Sequence, residues 1–335
     1  LQDFFSLSSK AVVFVFSIHL LSQFRSDHIP FDVVVFTNLS RDHLDYHKDM
    51  EQYFASKHRL FNDIPLNFSD KQVHAVINTD DKYGQRIQVA DKVKRVTYGQ
   101  GPADFQFKVL RSSFSGTRFL LSCSRGEREI NLGVPGEHNV YNAVAAVAVA
   151  ILAGASLESV AEALENFKGV PGRLQRLANP LDISIFVDYA HTDDALREVL
   201  IGLRKIRQQM PRESRIITVF GCGGDRDKGK RPIMMSVAKE LSDIVVVTSD
   251  NPRNESPQDI IRDILTVVLP NELDHNVFVQ EDRRQAIKQA ISMARAGDVV
   301  LIAGKGHESH QVIGQQRLEF SDAKVAKEIV VELSI

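Results

Sequence analysis

Apolar residues in the second half of the chain fall into short, nearly continuous runs that are rich in β-branched side chains. The runs occupy residues 183–187, 215–220, 244–248, 276–279 and 299–302. Segments with the apolar spacing of helices lie between them, at residues 194–209, 231–241, 257–268 and 283–295. Apolar strands that alternate with helices are typical of a parallel sheet covered on both faces. We therefore predict a Rossmann-like, doubly wound α/β domain in this half.

The first half combines two patterns, which predict a parallel α/β domain that carries a small antiparallel sheet. Strand-like runs at residues 11–17, 31–36 and 73–78 accompany a helical pattern at 50–61. Residues 95–134 instead alternate apolar and polar positions between glycine turns, as half-exposed antiparallel strands do. An alanine-rich helix is predicted at 137–153, with Gly154 as its C-cap, and a shorter helix at 157–166.

Chain length and a hinge-like segment predict two domains. A chain of 335 residues corresponds to about two domains of typical size, with three as the alternative. The glycines and the proline of Gly169-Val-Pro-Gly-Arg173 suit a hinge. We place the boundary there and predict domains at residues 1–172 and 173–335.

Charge and cysteine content argue against several classes of protein. Lys and Arg number 41 against 43 Asp and Glu, whereas binders of nucleic acid or anionic membranes depend on a basic surface. Cys123 and Cys222 are too few for a disulfide framework or a thiolate metal site, and they favour a reducing compartment. The sequence has no apolar run of the ~20 residues that span a bilayer and no signal-peptide pattern at its start. We expect a cytoplasmic protein with no nucleic acid partner and no membrane insertion; the oligomeric state is open, with a monomer as the expectation.

Polar and charged residues are concentrated where the predicted strands of the second half end. The segments that follow these strands are Asp188-Tyr-Ala-His-Thr192, residues 221–232, residues 248–255 and Ala303-Gly-Lys-Gly-His-Glu308. Ligands of open α/β sheets bind beyond the carboxyl ends of the strands. The coincidence of these segments at one rim therefore predicts an active site.

One of these segments resembles a phosphate-binding loop without matching it. Gly224-Asp-Arg-Asp-Lys-Gly-Lys-Arg231 follows a strand and precedes a helix, as a P-loop does. Arg231 stands where a Ser or Thr would ligate Mg²⁺, and Asp225 and Asp227 would repel phosphates. We favour a mixed-charge loop that binds a zwitterion or an anion near a helix N-terminus, with a nucleotide cradle and a plain turn as alternatives.

The segment Asp250-Asn-Pro-Arg253 has the chemistry of an amino-acid pocket. Arg253 can bind a carboxylate with two hydrogen bonds, and Asp250 can accept from an ammonium group. The alternative is a surface turn with a local salt bridge. Its position at the carboxyl end of a predicted strand favours the pocket.

Three groups in the first half are candidates on weaker signals. Residues 37–47 follow a predicted strand and include four candidate metal ligands or acid–base groups: Asp42, His43, Asp45 and His47. The alternative is that this segment forms only a polar connection. Lys57 lies in a helical pattern that by itself predicts a solvated lysine. Asn139 and Asn142 start a helix and are either caps or amides that read a base.

Taken together and in order, these segments resemble the Mur ligases of peptidoglycan synthesis, from about His19 to the C-terminus. The strings that carry the resemblance are Gly-Arg at 172–173, Phe-Val-Asp-Tyr-Ala-His-Thr at 186–192, residues 221–232, Asp-Asn-Pro-Arg at 250–253, Ala-Gly-Lys-Gly-His-Glu at 303–308 and residues 37–47. The resemblance implies a central ATPase-type α/β domain, truncated here, and a C-terminal domain that binds the incoming amino acid. It implies an amide ligase that uses ATP and Mg²⁺ and joins meso-diaminopimelate to a UDP-linked muramoyl dipeptide through an acyl phosphate.

The resemblance also implies roles for individual residues. His43 would be a metal ligand, and Lys57, once carbamylated, would be a second one; both are the predicted catalytic residues. The residues expected to contact ATP are Asn142, Arg173, Asp188 and His191. The expected diaminopimelate pocket comprises Arg226, Asp250, Asn251, Arg253, Gly304 and Glu308. Arg25 would contact the UDP-linked substrate.

The chain departs from the family pattern near its start. The family's UDP-binding domain and its Gly-Lys-Thr P-loop would precede Leu1, so we expect an N-terminally truncated form that does not turn over by itself. Val15 and Phe16 replace a Mg²⁺-binding Glu and a substrate-contacting Ser, and Asp193 replaces a Pro. The alternatives are a non-catalytic remnant that binds diaminopimelate or nothing, and a folate-type polyglutamate ligase, which the Asp-Asn-Pro-Arg string disfavours. A dehydrogenase is not indicated, because no Gly-x-Gly-x-x-Gly opens the first strand–helix turn.

Overall fold

The computed structural model describes residues 11–16, 18–39, 50–68, 71–210 and 213–334. The chain divides into two compact units. The first comprises Leu1–Lys108, Leu120–Glu129 and Tyr141–Ala161, and the second Val109–Phe119, Ile130–Val140 and Glu162–Ile335. The domain limits predicted at residues 1–172 and 173–335 stay a prediction.

Parallel strands and a helix form the core of the first unit. Strands β1 (Val33–Phe36), β2 (Val73–Asn78) and β3 (Val93–Gly99) run parallel, with β2 in the middle. Helices α1 (Ile18–Ser22) and α2 (Met50–Asn62) belong to the same unit. The aromatic side chains of α2 pack against the strands, and the ring centroids of Phe36 and Phe61 are 6.3 Å apart. The parallel α/β pattern predicted from residues 31–78 is confirmed.

The strand predicted at residues 11–17 is wrong for the part that the structure describes. Residues 11–16 form no strand, and the side chains of Val13 and Val15 are 88% and 95% exposed. A β-branched run favours a strand only where it can pack against neighbours on a half-buried surface. The β-branched composition of residues 11–16 was therefore not enough to predict a strand.

The alternating segment forms strands β4 (Phe105–Ser113), β5 (Gly116–Cys123) and β6 (Gly126–Leu132). Two-residue connections link these neighbouring strands, and links this short join antiparallel strands. The sheet order is β1-β2-β3-β4-β5-β6, and β4 runs parallel to β3. The antiparallel strands therefore extend the parallel sheet and cover an edge that would otherwise present unpaired backbone groups.

The alanine-rich helix ends as its sequence predicts. Helices α3 (Glu137–Leu152) and α4 (Leu157–Glu165) follow β6. Gly154 has a φ of 94°, its N–H donates to Ile151 O at 3.0 Å, and the N–H of Ala155 donates to Ala150 O at 2.9 Å. This pair of bonds is the Schellman motif, so Gly154 closes the helix as predicted.

A doubly wound sheet forms the centre of the second unit. Its strands are β7 (Gln175–Leu177), β8 (Ser184–Asp188), β9 (Ile216–Phe220), β10 (Ile244–Val247), β11 (Val277–Val279) and β12 (Val299–Ala303). The order is β11-β10-β9-β12-β8-β7, with β7 antiparallel at one edge and the other pairs parallel. The parallel sheet predicted for this half is confirmed.

Helices cover both faces of this sheet. One face carries α5 (Asp193–Gln208), α6 (Lys230–Leu241) and α7 (Pro257–Leu265), and the other carries α8 (Arg283–Met293) and α9 (Asp322–Leu333). Successive strand residues alternate between the two cores: Ile216 packs with the first group of helices and Ile217 with the second. Because both faces are buried, the strands read as continuous apolar runs. A hairpin of β13 (His310–Ile313) and β14 (Gln316–Glu319) lies between β12 and α9.

A buried ion pair joins the starts of α8 and α9 beneath the carboxyl end of the sheet. Arg283 donates to the two carboxylate oxygens of Asp322 at 2.7 and 2.8 Å, and both side chains have 0% exposure. The same guanidinium donates to Ala303 O at 2.9 Å and to Ser249 O at 3.4 Å. Arg283 therefore connects the end of β12 to the segment that follows β10.

Arg283→Met should destabilise the protein by about 3–5 kcal/mol, because it leaves Asp322 as an uncompensated buried charge. The double variant Arg283→Met/Asp322→Leu should lose less stability than Arg283→Met, since it removes both charges together. Urea unfolding followed by circular dichroism measures the free energy of unfolding of these two variants and of the single variant Asp322→Leu. A double variant whose loss equals the sum of the two single losses would contradict this account of the pair.

Candidate functional site

The carboxyl end of β12 lies where the chain changes from one face of the sheet to the other. β12 is placed between β9 and β8. The connections after β8 and β9 lead to helices on one face, whereas the chain after β12 leads to α9 on the other face. A crevice forms at such a switch point, and ligands of doubly wound folds bind there. Residues 303–308 follow β12 directly into this crevice.

Lys305 lies at the centre of a polar cluster in the crevice. Its side chain has 0% exposure, and Nζ donates to Asn251 Oδ1 at 3.0 Å and to Glu308 Oε2 at 2.9 Å. Asn251 Nδ2 also donates to Glu308 Oε2 at 2.9 Å. The side chains of Asn251 and Glu308, both predicted pocket residues, are thus bound to each other and to one buried cation.

Asp250 and Gly304 complete the inner wall of the cluster. Asp250 is buried, and its Oδ1 is 3.8 Å from Lys305 Nζ. The N–H of Gly304 donates to Asp188 O at 3.1 Å, and a Cβ on Gly304 would lie 2.8 Å from Asp250 Oδ2. A side chain at position 304 would therefore displace the Asp250 carboxylate.

Arg253 is held at the outer wall by the β13–β14 hairpin. Its φ of 51° is unusual for a residue other than glycine. The hairpin supports this conformation, because the N–H of Arg253 donates to Val312 O at 3.1 Å and its carbonyl accepts from Gly314 N at 2.6 Å. The Arg253 side chain donates from Nη1 to Gly224 O at 2.8 Å; within the described ranges, its Nε and Nη2 make no hydrogen bond. Two adjacent donors are thus available for a carboxylate.

Arg226 lies beside Arg253 across Gly223. A Cβ placed on Gly223 would lie 2.8 Å from Arg253 Nη1 and 3.7 Å from Arg226 Cγ. Arg226 is exposed. The backbone carbonyl of Asn251 lies 3.5 Å from Arg253 Nη1 and connects this pair of arginines to the Lys305 cluster. The structure therefore brings all the predicted diaminopimelate-pocket residues to one rim.

The environment shifts the pKa values of the two carboxyl groups of the pocket in opposite directions. Burial raises the pKa of the Asp250 carboxyl, against the opposing effect of Arg283 and Lys305. Burial also raises the pKa of Glu308, but hydrogen bonds from Lys305 and Asn251 outweigh it and hold that pKa below its ordinary value. Glu308 is therefore the carboxyl better held as an anion, and it suits an ammonium ligand.

The loop that resembles a P-loop packs closely against the segment after β10. A Cβ on Gly224 would lie 1.9 Å from Pro252 O, so only glycine fits there. Arg231 has 0% exposure and donates to both carboxylate oxygens of Glu255, at 2.9 and 3.0 Å, and to Asp263 at 2.8 Å. Arg231 is thus turned inward from the start of α6 and joins the segment after β10 to α7. The glycine here serves loop packing, and the ligand-binding role proposed for the loop stays a prediction.

Three of the predicted nucleotide contacts lie together around Tyr189. The Arg173 guanidinium is 5.0 Å from the centroid of the Tyr189 ring, and the His191 ring is 4.7 Å from it. Asp188 accepts from Leu174 N at 2.5 Å and from Ala190 N at 2.8 Å. Burial raises the pKa of Asp188, and these two hydrogen bonds oppose it. Asp188 therefore orients the backbone next to Arg173; its contact with a nucleotide stays a prediction.

Asn142 lies on the first turns of α3 and is exposed. The residue before it is fixed, because Tyr141 Oη donates to Asp80 Oδ2 at 2.7 Å and accepts from Gln100 Nε2 at 3.1 Å. Asn139 Nδ2 donates to Pro135 O at 2.7 Å, so that amide binds the backbone before the helix. Of the two candidate amides, Asn139 is bound to the backbone and Asn142 is the one exposed to solvent. The adenine-reading role of Asn142 stays a prediction.

The remaining predicted residues belong to the first unit. Lys57 lies on α2, and its Nζ is 4.9 Å from the centroid of Tyr53 one turn earlier. Arg25 follows α1 and is exposed. His43 lies outside the described residues, as do Asp42, Asp45 and His47. The catalytic and substrate-binding roles of this group stay predictions.

Within the part of the chain that the structure describes, no group of three or more His, Cys, Asp or Glu side chains is close enough to hold a metal ion. Because His43 lies outside that part, the Mg²⁺ site stays a prediction. Of the described helices, none is long and apolar enough to cross a membrane.

Sequence reasoning missed the residues that support the pocket from within. Lys305 was part of a motif string but had no role, and Arg283, Asp322 and Glu255 were not candidates. Asp322, the partner of Arg283, and Asn251, one partner of Lys305, lie 39 and 54 residues away, so local spacing reveals neither contact. Glu308, the other partner of Lys305, lies only three residues away. A charged residue flanked by glycines directly after an apolar strand, as Lys305 is, was the available signal.

Known proteins are similar to this chain along most of its length. The Mur ligase middle domain family matches residues 2–150, and the family described as "Mur ligase, glutamate ligase domain" matches residues 172–306. UDP-N-acetylmuramoyl-L-alanyl-D-glutamate–2,6-diaminopimelate ligase of Solibacter usitatus is 44% identical over 94% of this chain and 62% of its own length. The ligase of the same name from Geobacter metallireducens is 42% identical over 100% of this chain and 67% of its own length.

A solved structure of a ligase with this name is 36% identical, covers 96% of this chain and 64% of the other chain, and has a TM-score of 0.68. The chain belongs to the Mur ligase family. It spans 62% to 67% of the length of the curated relatives that it matches.

Glu255→Gln should lower the melting temperature at pH 7, because it weakens the charged partner of the buried Arg231. The hydrogen bonds from Arg231, with a further one from Asp225 N, lower the pKa of Glu255 to about 2. A carboxyl with a depressed pKa stabilises the fold above its unfolded pKa of ~4.3 and loses that effect as the pH falls towards the folded value.

The difference between wild type and Glu255→Gln should therefore shrink as the pH falls from about 4.3 to about 2. Thermal unfolding across this range measures it, with Glu240→Gln at an exposed salt bridge as the control that should change little. A constant difference at every pH would show that the carboxylate charge is not the cause.

Proposed function

We propose that this chain contains the amino-acid pocket and part of the nucleotide site of a ligase that adds meso-diaminopimelate to UDP-N-acetylmuramoyl-L-alanyl-D-glutamate. The observation that carries the proposal is the clustering of Asp250, Asn251, Arg253 and Glu308 at the carboxyl end of the second sheet. The names of relatives with 39% to 44% identity support the choice of substrates. A folate-type ligase has no comparable support.

The proposed reaction joins an amine to a carboxylate at the expense of ATP. The γ-carboxylate of D-Glu takes the terminal phosphoryl group of ATP and becomes an acyl phosphate. The amine of diaminopimelate then attacks the acyl carbon, and a C–N bond forms as the C–O bond to phosphate breaks. The amine gives up a proton in this step, and the products are the amide, ADP, phosphate and that proton. Positioning of the two reactants and neutralisation of phosphate charge would supply most of the acceleration.

The pocket has a partner for each of the two charged groups at one end of diaminopimelate, the carboxylate and the ammonium group. Arg253 offers Nε and Nη2 to the carboxylate at that end. Glu308, held as an anion by Lys305 and Asn251, accepts from the ammonium group at the same end, and Asp250 lies behind it. The exposed Arg226 adds positive charge at the rim.

The second carboxylate of diaminopimelate is what separates it from lysine. Lysine would leave Arg253 desolvated and unpaired, at a cost of about 2–5 kcal/mol, or roughly thirtyfold to several thousandfold in affinity. Arg253 is therefore the proposed determinant of amino-acid choice.

The other ligands of the reaction are proposed for residues outside the pocket. Arg173, Asp188 and His191 around Tyr189 would contact ATP, and Asn142 would read its adenine. Mg²⁺ would supply charge neutralisation when bound, with His43 and carbamylated Lys57 as its proposed ligands, and Arg25 would contact the UDP-linked dipeptide. These small molecules are the proposed partners, and the cytoplasm is the proposed location.

Isothermal titration calorimetry of the 335-residue chain with meso-diaminopimelate and with L-lysine tests the pocket. We expect weak binding of diaminopimelate and a preference over lysine of at least about thirtyfold. Arg253→Ala should abolish the preference, because it removes the partner of the second carboxylate. Arg262→Ala on α7, an exposed arginine paired with Asp259, should change neither affinity.

Equal affinity of the wild-type chain for the two amino acids would refute the role of Arg253. Absence of binding to both, in a chain that unfolds cooperatively, would favour a remnant without a functional pocket.

A further inference from the structure

Lys305 has a contact pattern that a solvated or purely space-filling lysine would not have. Its side chain has 0% exposure, yet both of its hydrogen-bond acceptors are side chains that line the crevice. Burial of an ammonium group is unfavourable unless anionic or polar partners compensate for the lost water. Here the compensation comes from Glu308 and Asn251, with Asp250 at 3.8 Å.

The three side chains form a closed ring of hydrogen bonds. Lys305 Nζ donates to Asn251 Oδ1 and Glu308 Oε2, and Asn251 Nδ2 donates to the same Glu308 oxygen. The N–H of Val312 adds a further donor to Asn251 Oδ1 at 2.9 Å, which ties the ring to the β13–β14 hairpin. The ring leaves Glu308 Oε1 free of these bonds and fixes the direction of the carboxylate.

We propose that Lys305 is a positioning residue that keeps the Glu308 carboxylate ionised and oriented into the amino-acid pocket. The charge of Glu308 then sets the pH range in which the pocket accepts an ammonium group. The inference rests on the proposed function for the identity of the ligand. It goes beyond that function because Lys305 itself need not touch the ligand.

Several charges act on Glu308 from the elements around it. Lys305 lies on the same loop, and His310 on β13 also lowers the pKa of Glu308. Arg283 at the start of α8 attracts the Glu308 carboxylate electrostatically, whereas Asp250 after β10 repels it. Lys305 is the cation bound directly to the carboxylate, so its removal should dominate the response.

The first test follows the titration of Glu308 without any ligand. Carbon-13 NMR of the side-chain carboxyl groups in the 335-residue chain gives the Glu308 pKa, with Glu308→Gln to assign the signal. We expect a wild-type value below that of an ordinary glutamate and an upward shift of at least one pH unit in Lys305→Met. Lys239→Met is the matched control, because Lys239 is a largely buried lysine paired with Glu272 on another part of the unit. It should leave the Glu308 titration unchanged.

The second test measures the affinity for meso-diaminopimelate by calorimetry between pH 5 and pH 9. Lys305→Met should bind about threefold or more weaker than wild type at the low end, where its Glu308 is partly protonated. Its affinity should rise with pH as Glu308 ionises, whereas the wild-type affinity should vary little over the same step. A loss of affinity that is equal at every pH would indicate a merely structural role and would overturn the proposal.

An unchanged Glu308 titration in Lys305→Met, or a wild-type Glu308 pKa at or above the ordinary value, would overturn the inference; the wild-type measurement decides even if the variant does not fold. A shifted titration together with no binding of diaminopimelate by the wild type would support the coupling of Lys305 to Glu308 and would overturn the proposed function.

Discussion

Two cations buried at the carboxyl end of β12 hold the rim of the second unit in place. Arg283 binds the last carbonyl of β12 and the carboxylate of Asp322, and Lys305 binds side chains that face the crevice. Charges in an apolar interior must stay paired, so the loops cannot move apart without leaving an uncompensated ion. The shape of the crevice is therefore fixed by the interior of the domain, before any ligand arrives.

The sequence was a good guide to the second unit, and the physical reason is burial on both faces. Each parallel strand of that sheet reads as an apolar run because successive residues enter different cores. The positions of the pocket residues followed from the same pattern, since carboxyl ends of parallel strands share one edge. In the first half, composition at residues 11–16 suggested a strand, but a strand requires a packed neighbour that composition does not reveal.

Long-range charge pairing is what the sequence could not supply. The glycines and charges of residues 221–231 suggest a ligand loop, whereas Gly224 fits against Pro252 and Arg231 is buried against Glu255 and Asp263. Arg226 and Arg231 look alike in the sequence, but one is exposed at the rim and the other is internal. Only the positions of distant partners separate a residue that meets a ligand from one that supports the site.

The central claim is that this rim is shaped for a small molecule that carries an amine and two carboxylates. A crystal structure of the chain with meso-diaminopimelate tests it most directly. We expect one carboxylate of the ligand within hydrogen-bond distance of Arg253 and the neighbouring ammonium group within hydrogen-bond distance of Glu308. A ligand bound elsewhere, with Glu308 and the free donors of Arg253 left in solvent, would contradict it.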